Sequence, residues 1–225
     1  GPATVLEGRY GFLNAFAQDA LPEKLTEGLG TVWETRTICF KRCACHATAQ
    51  APIQALEDMR AEFGFVAADV EAIEIGTSKK VLNNHDIREP ADAMGAQYSV
   101  PFSVALSFYH EALDPRSFLA ADLKDRTVLD FCSRISLTFL EETTKPGQNW
   151  VCRIVVRLKD GRMLERLVPD FRGTPTLPMT PEEFDGKFRA ATRSLGTEKT
   201  DALLDGLRRL EEQPALDAIL NLTVG

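Results

Sequence analysis

Eight consecutive positions, Cys39-Phe40-Lys41-Arg42-Cys43-Ala44-Cys45-His46, bring together three thiols, two cations and an imidazole. Thiols with an imidazole suggest a metal site, but C-x-C-H matches no usual zinc spacing and no second ligand pair occurs elsewhere in the chain. The cysteines therefore read as small apolar packing residues, and no metal is expected. Lys41, Arg42 and His46 carry different chemistry. They lie where an apolar run gives way to a helix-patterned stretch, and helix amino termini attract anions. Two fixed cations and an imidazole at such a terminus make a pocket for a carboxylate-rich small molecule. A lysine beside another cation also binds its proton less tightly, which suits proton transfer. The bland alternative is that both cations extend to solvent and His46 only caps the helix.

A second constellation is Ala96-Gln97-Tyr98-Ser99-Val100-Pro101-Phe102. Gln97 and Ser99, in a small-residue helix interrupted by proline, would present side chains to a ligand at a backbone break. The alternative is a packed helix with a proline kink. His85 lies in a long polar stretch and is able to reach a site, whereas His110 falls at a helix end and reads as structural. No glycine-rich phosphate loop, G-x-S-x-G elbow or H-E-x-x-H helix is present.

The elements that must position these residues follow from periodicity. Residues 5–17 have a helix-like apolar period broken by Gly8 and Gly11. Residues 31–40 are rich in β-branched and aromatic side chains and predict a strand. A helix is expected over 46–63, with Pro52 at a first-turn boundary or kink and Gly64 as its stop. Strands follow at 70–75 and 135–140, with a loop over 77–90, a nearly all-apolar helix over 93–109 and a helix over 122–132. Two alternating runs, 150–158 and 163–168, flank Asp160-Gly161 and predict a hairpin on a type I′ turn. Thr180-Pro181-Glu182-Glu183 is a capping box that starts the first of three terminal helices. The fold class is therefore α+β: a mostly antiparallel sheet of about five strands packed by helices, flanked by helical segments.

The chain has 225 residues, 44% hydrophobic and 26% charged, which excludes disordered, collagen-like and coiled-coil classes. Its net charge of −7, without a basic run, lacks the footprint of a nucleic-acid binder. No apolar run is long enough to span a bilayer, and the start has no signal-peptide form, so a cytoplasmic protein is expected. The five cysteines are an odd count without a disulfide-framework spacing, which fits free thiols. Gly1-Pro2 resembles a tag-removal scar and is set aside.

Together these segments resemble the MmgE/PrpD family, which includes 2-methylcitrate dehydratase, cis-aconitate decarboxylase and iminodisuccinate epimerase. The residues that carry the resemblance are Leu6-Glu7-Gly8-Arg9-Tyr10-Gly11-Phe12, Phe40-Lys41-Arg42 with Cys45-His46, Ala96 to Phe102, the Lys159-Asp160-Gly161 hairpin, and Met179 to Phe184 with Lys187-Phe188-Arg189. The resemblance implies a large helical domain and a smaller α+β lid with the active site between them. Residues 1–30 are then a remnant of the helical domain, 31–176 the lid, and 177–225 the helices that return to the helical domain. A missing amino-terminal helical half is expected as partner, so that the chain is a truncated, proteolysed or split portion, inactive alone and homodimeric when complete. The resemblance further implies Lys41 and His46 as catalytic residues, and Arg42, Gln97, Ser99 and Phe102 as substrate-binding residues. It places a family tyrosine at Phe102, and a phenyl ring there cannot move a proton, which points away from decarboxylation. The implied function is a lyase or isomerase, a dehydratase first, that abstracts a proton next to a carboxylate of a small polycarboxylate without a cofactor. The alternative is an inactive lid module that binds a carboxylate ligand or a partner protein.

Overall fold

The computed structural model describes residues 1–112, 114–118 and 122–223. They form two compact units, divided between Ile38 and Cys39. The first unit holds one short helix, α1 (Phe12–Phe16), and two 3-10 turns, Pro22–Leu25 and Glu34–Arg36. The strand expected over 31–40 does not form. Gly28 and Gly30 turn the chain at φ of 70° and 80°, and the Thr31 and Thr37 hydroxyls donate back to the Gly28 and Glu34 carbonyls, which closes local turns. Strand propensity is realised only against a neighbouring strand, and none pairs with this run among the described residues.

The second unit opens with α2 (Ala47–Phe63), which ends on Gly64 at φ 69°, a left-handed stop that a side chain would strain. Pro52 lies buried inside this helix rather than at its first turn. Next come β1 (Val70–Thr77) and α3 (Lys79–Asn84), the latter within a stretch that reads as a loop. Ser78 starts α3 by accepting from the Val81 amide, a cap that polar composition hides. The apolar stretch expected as one helix is two, α4 (Ala93–Tyr98) and α5 (Val100–Leu106), with Pro101 in the first turn of the second. After α6 (Arg126–Cys132) come β2 (Ile135–Phe139), β3 (Cys152–Leu158) and β4 (Met163–Val168). Three terminal helices follow, α7 (Pro181–Thr192), α8 (Thr197–Arg208) and α9 (Asp217–Leu222). The capping box of α7 is complete, with Thr180 and Glu183 satisfying each other's amides.

The sheet has four strands in the order β2-β1-β3-β4, not five, and it is mixed. β1 and β2 run parallel from Ile73↔Ile135 to Thr77↔Phe139, whereas β1/β3 and β3/β4 are antiparallel. The parallel pair follows from the helices α3 to α6 between its strands, because parallel neighbours need a long crossover. The β3–β4 hairpin turns on a negative-φ Asp160 and on Gly161 at φ 90°, with the Gly161 amide donating to Leu158 O at 3.0 Å. That is a type I turn followed by a glycine bulge, not the expected type I′ turn.

One face of the sheet carries Ile73, Ile75, Ile154, Val156 and Leu158 into a core shared with Ile53, Leu56 and Met59 of α2 and with Phe102, Val104 and Leu106 of α5. Each such buried side chain contributes roughly 1.5–3 kcal/mol. The other face carries an ion-paired row in which Arg153 meets Glu74 and Glu165. Among the described residues no helix is long and apolar enough to cross a membrane.

Candidate functional site

The loop that enters α2 is fixed by its backbone. Gln50, buried in the second turn of α2 region, reaches back so that its Nε2 donates to Cys43 O at 3.0 Å while its Oε1 accepts from the Cys43 amide at 2.9 Å. The Phe40 amide donates to Gly173 O at 2.7 Å, the Ala44 amide to Ala112 O at 3.0 Å, and the His46 amide to Gln97 O at 2.7 Å. These bonds leave the cationic side chains free to differ. Arg42 turns to α2 and pairs with Glu57. Lys41 is exposed.

His46 is the N-cap of α2. Its Nδ1 accepts from the Thr48 amide at 3.4 Å and meets Thr48 Oγ1 at 2.9 Å. A ring whose Nδ1 accepts carries its neutral-state proton on Nε2. Nε2 has no partner among the described residues and is not a buried unpartnered atom, so it reaches solvent as a donor. Two further rings surround it. His85 stacks on His46 with ring centroids 4.2 Å apart and planes at 29°. Tyr98 lies 5.0 Å from His46 and 5.8 Å from His85. Burial first, then the charges of His85, Lys41 and Lys80, hold the His46 pKa below the ordinary imidazole value. Its place at the positive end of a helix acts in the same direction. Beside Thr48, a depression lined in part by Thr77, Ser78 and Asn149 opens between α2, α3 and the start of β3, with room for about one water at roughly 10 Å³.

The residues expected to bind substrate separate. Gln97 is half-buried and meets His46 through its backbone carbonyl. Ser99 does not present its hydroxyl to a ligand: it is 0% exposed, caps α5 by accepting from the Phe102 amide at 2.9 Å, and donates to Ile87 O at 2.5 Å. Phe102 is likewise 0% exposed and packs in the core, because position 102 faces inward once the helix restarts at Val100. Lys41 and His46 are within electrostatic reach of each other, but no strand ends beside them; an irregular loop leads into α2.

The exposed phenol of this corner is Tyr98, 47% exposed, the last residue of α4 and across the Ser99 break from Phe102. Tyr98 lies within the motif, but the resemblance places the family tyrosine at Phe102. The break at Ser99 was the available signal, since it rotates the two halves of the stretch relative to each other. Lys80 carried no signal at all. Burial raises the pKa of Cys43 and Cys132 to about 11 and of Cys152 to about 12, and raises those of Cys45 and Cys39 as well, which disfavours the thiolate at each. Among the described residues no group of three or more His, Cys, Asp or Glu side chains is placed to hold a metal ion.

The MmgE/PrpD C-terminal domain matches residues 43–211. The chain belongs to the MmgE/PrpD family. Within it, the chain is 26% identical over 242 residues to the cis-aconitate decarboxylase-like protein oryM of Aspergillus oryzae, covering 100% of this chain and 50% of that protein. It is 24% identical over 243 residues to the cis-aconitate decarboxylase of Aspergillus terreus, covering 98% of this chain and 49% of that protein. The chain thus spans about half the length of these MmgE/PrpD relatives. The family match begins two residues after Lys41 and includes His46, His85 and Tyr98.

Proposed function

We propose that this chain forms one side of the active site of a lyase that moves a proton next to a carboxylate of a small polycarboxylate. The observation that carries the proposal is His46 Nε2–H, which reaches solvent beside Tyr98 and an exposed Lys41 in a member of the MmgE/PrpD family. A neutral imidazole at a helix amino terminus is a hydrogen-bond donor to a developing enolate-like oxygen. Lys41 supplies the cation that such a state requires and carries a proton to or from the reacting carbon. Tyr98 supplies a phenol, and the Gln97 amide takes a carboxylate oxygen. Arg42, tied to Glu57, contributes its charge from a distance.

Dehydration uses these groups to take a proton from carbon and give one to the departing hydroxyl. Decarboxylation uses them to protonate the carbanion that loss of carbon dioxide leaves. Tyr98 favours the second, since the phenol absent at 102 is present at 98, and two relatives named for cis-aconitate decarboxylation support it. The remaining side of the site belongs to the part of the relatives' length that this chain does not span.

The test is an assay of the longest open reading frame containing the chain against cis-aconitate, citrate and 2-methylcitrate, with the chain alone in parallel. Expected is turnover of one of these acids, with kcat/KM lowered on the order of 10²–10⁴-fold by Lys41→Ala and by His46→Gln. Turnover indifferent to both substitutions overturns the assignment. Binding of the acids without turnover favours the inactive lid module instead.

A further inference from the structure

We propose that His85 is a positioning residue for His46: it holds the His46 ring by stacking and opposes a positive charge on it, so that His46 works as a neutral donor. His85 is built for that place. It is 3% exposed and forms the C-cap of α3, its amide donating to Val81 O at 2.8 Å. Its own carbonyl accepts from the Val100 amide at 2.9 Å, at the break between α4 and α5. Its Nδ1 stands 3.0 Å from Tyr98 O. A carbonyl only accepts, so Nδ1 bears the proton and the tautomer is set. The ring is therefore fixed by two helices and one carbonyl, and its face lies 4.2 Å from that of His46. A like charge at that separation disfavours a second proton on the pair.

Among the described residues, the titratable groups that act on His46 are basic. Lys41 approaches from the loop before α2, Lys80 from α3 and His85 from the end of α3, while Tyr98 of α4 and Thr48 of α2 are the polar neutral neighbours. Among the described residues no carboxylate is one of the groups that act on it. His85 differs from the lysines in being rigid and buried, so it acts on ring orientation as well as on charge.

This inference deepens the reading of His46 as a substrate-facing group and rests on it, but it is tested without substrate. The experiment is a ring-proton NMR titration of His46 in the 225-residue chain, compared with the same histidine in the urea-unfolded chain and in two variants. His85→Phe keeps a ring to stack and removes the basic nitrogens. His85→Asn keeps a donor for Tyr98 O and removes the ring. In the wild type, His46 is expected to titrate below its unfolded counterpart and to show an upfield ring-current shift. Both variants are expected to move the His46 midpoint upward, and only His85→Asn to reduce the ring-current shift, with Tyr98 at 5.0 Å supplying the remainder. A midpoint unmoved in both variants, or a wild-type His46 that titrates like the unfolded chain without a ring-current shift, overturns the proposal. Should neither variant keep a native amide spectrum, the wild-type curve and ring-current shift decide alone. These shifts without turnover on any polycarboxylate would leave the positioning role standing and remove the proposed function; turnover without the shifts would do the reverse.

Discussion

Two segments carry most of the polar residues near the site, and they use them in opposite ways. The loop before α2 is held by its backbone amides at Phe40, Ala44 and His46 and by the buried Gln50, so Lys41 and the far edge of His46 are left outward. The α4–α5 junction is held by a side chain: Ser99 uses its hydroxyl on Phe102 N and Ile87 O, and Phe102 fills the core behind it. A polar residue near a backbone break is available for chemistry only when the backbone has found other partners. The loop meets that condition; the junction meets it at Tyr98, whose carbonyl engages His85 while its phenol stays exposed.

The largest expected effect breaks the junction. Phe102→Ala removes a fully buried ring and should lower stability by about 3–5 kcal/mol. Urea unfolding checks it, and a loss under about 1 kcal/mol would mean that Phe102 is not a core residue and could face a ligand after all. Gly173→Ala attacks the loop instead. Gly173 has φ 116°, and a Cβ there would lie 1.9 Å from Phe40 O, the residue before Lys41. Strain and clash together should cost about 2 kcal/mol or more. A Gly173→Ala chain as stable as the wild type would show that the loop is not anchored there.

Smaller effects sharpen the comparison. Ser99→Ala leaves Phe102 N and Ile87 O without their partner and should cost about 1–2 kcal/mol. Lys41→Ala should change stability by no more than about 0.5 kcal/mol, because the side chain is exposed. Equal losses in the two variants would erase the distinction between a structural serine and an available lysine.

Much of this was legible in the sequence. Period and caps gave α2 with its Gly64 stop, β1, the β3–β4 hairpin and the capping box of α7, because each is decided by residues close together along the chain. What local pattern does not contain is the partner. Residues 31–40 have strand composition but no neighbouring strand among the described residues, and the parallel pairing of β1 with β2 depends on helices between them. The same holds at the site. The cation–imidazole segment is visible as a motif, but the His46–His85–Tyr98 cluster joins residues 39 and 52 positions apart only through the α3 cap and the break at Ser99.

The smallest effect is a pH dependence that isolates the outward face of the loop. His46 binds its proton less tightly in the folded chain than in the unfolded one, chiefly through burial and then through His85, Lys41 and Lys80. Below the ordinary imidazole value of 6.5 the unfolded state therefore takes up more protons, and stability falls as pH falls through that window. The depressed carboxyls act with the same sign but lower down. Asp114 is held by its bond from Arg116, and Asp125 by the amide of Thr127, so both lose their contribution only below their ordinary value of 3.8. Unfolding free energies measured in urea at several pH values between about 7.5 and 5 should therefore decline in the wild type and decline less in His46→Gln, with the two slopes converging above the imidazole range. Equal slopes would mean that His46 is as well solvated folded as unfolded. The loop would then present an ordinary surface histidine, and the contrast with the inward-turned junction would lose its chemical meaning.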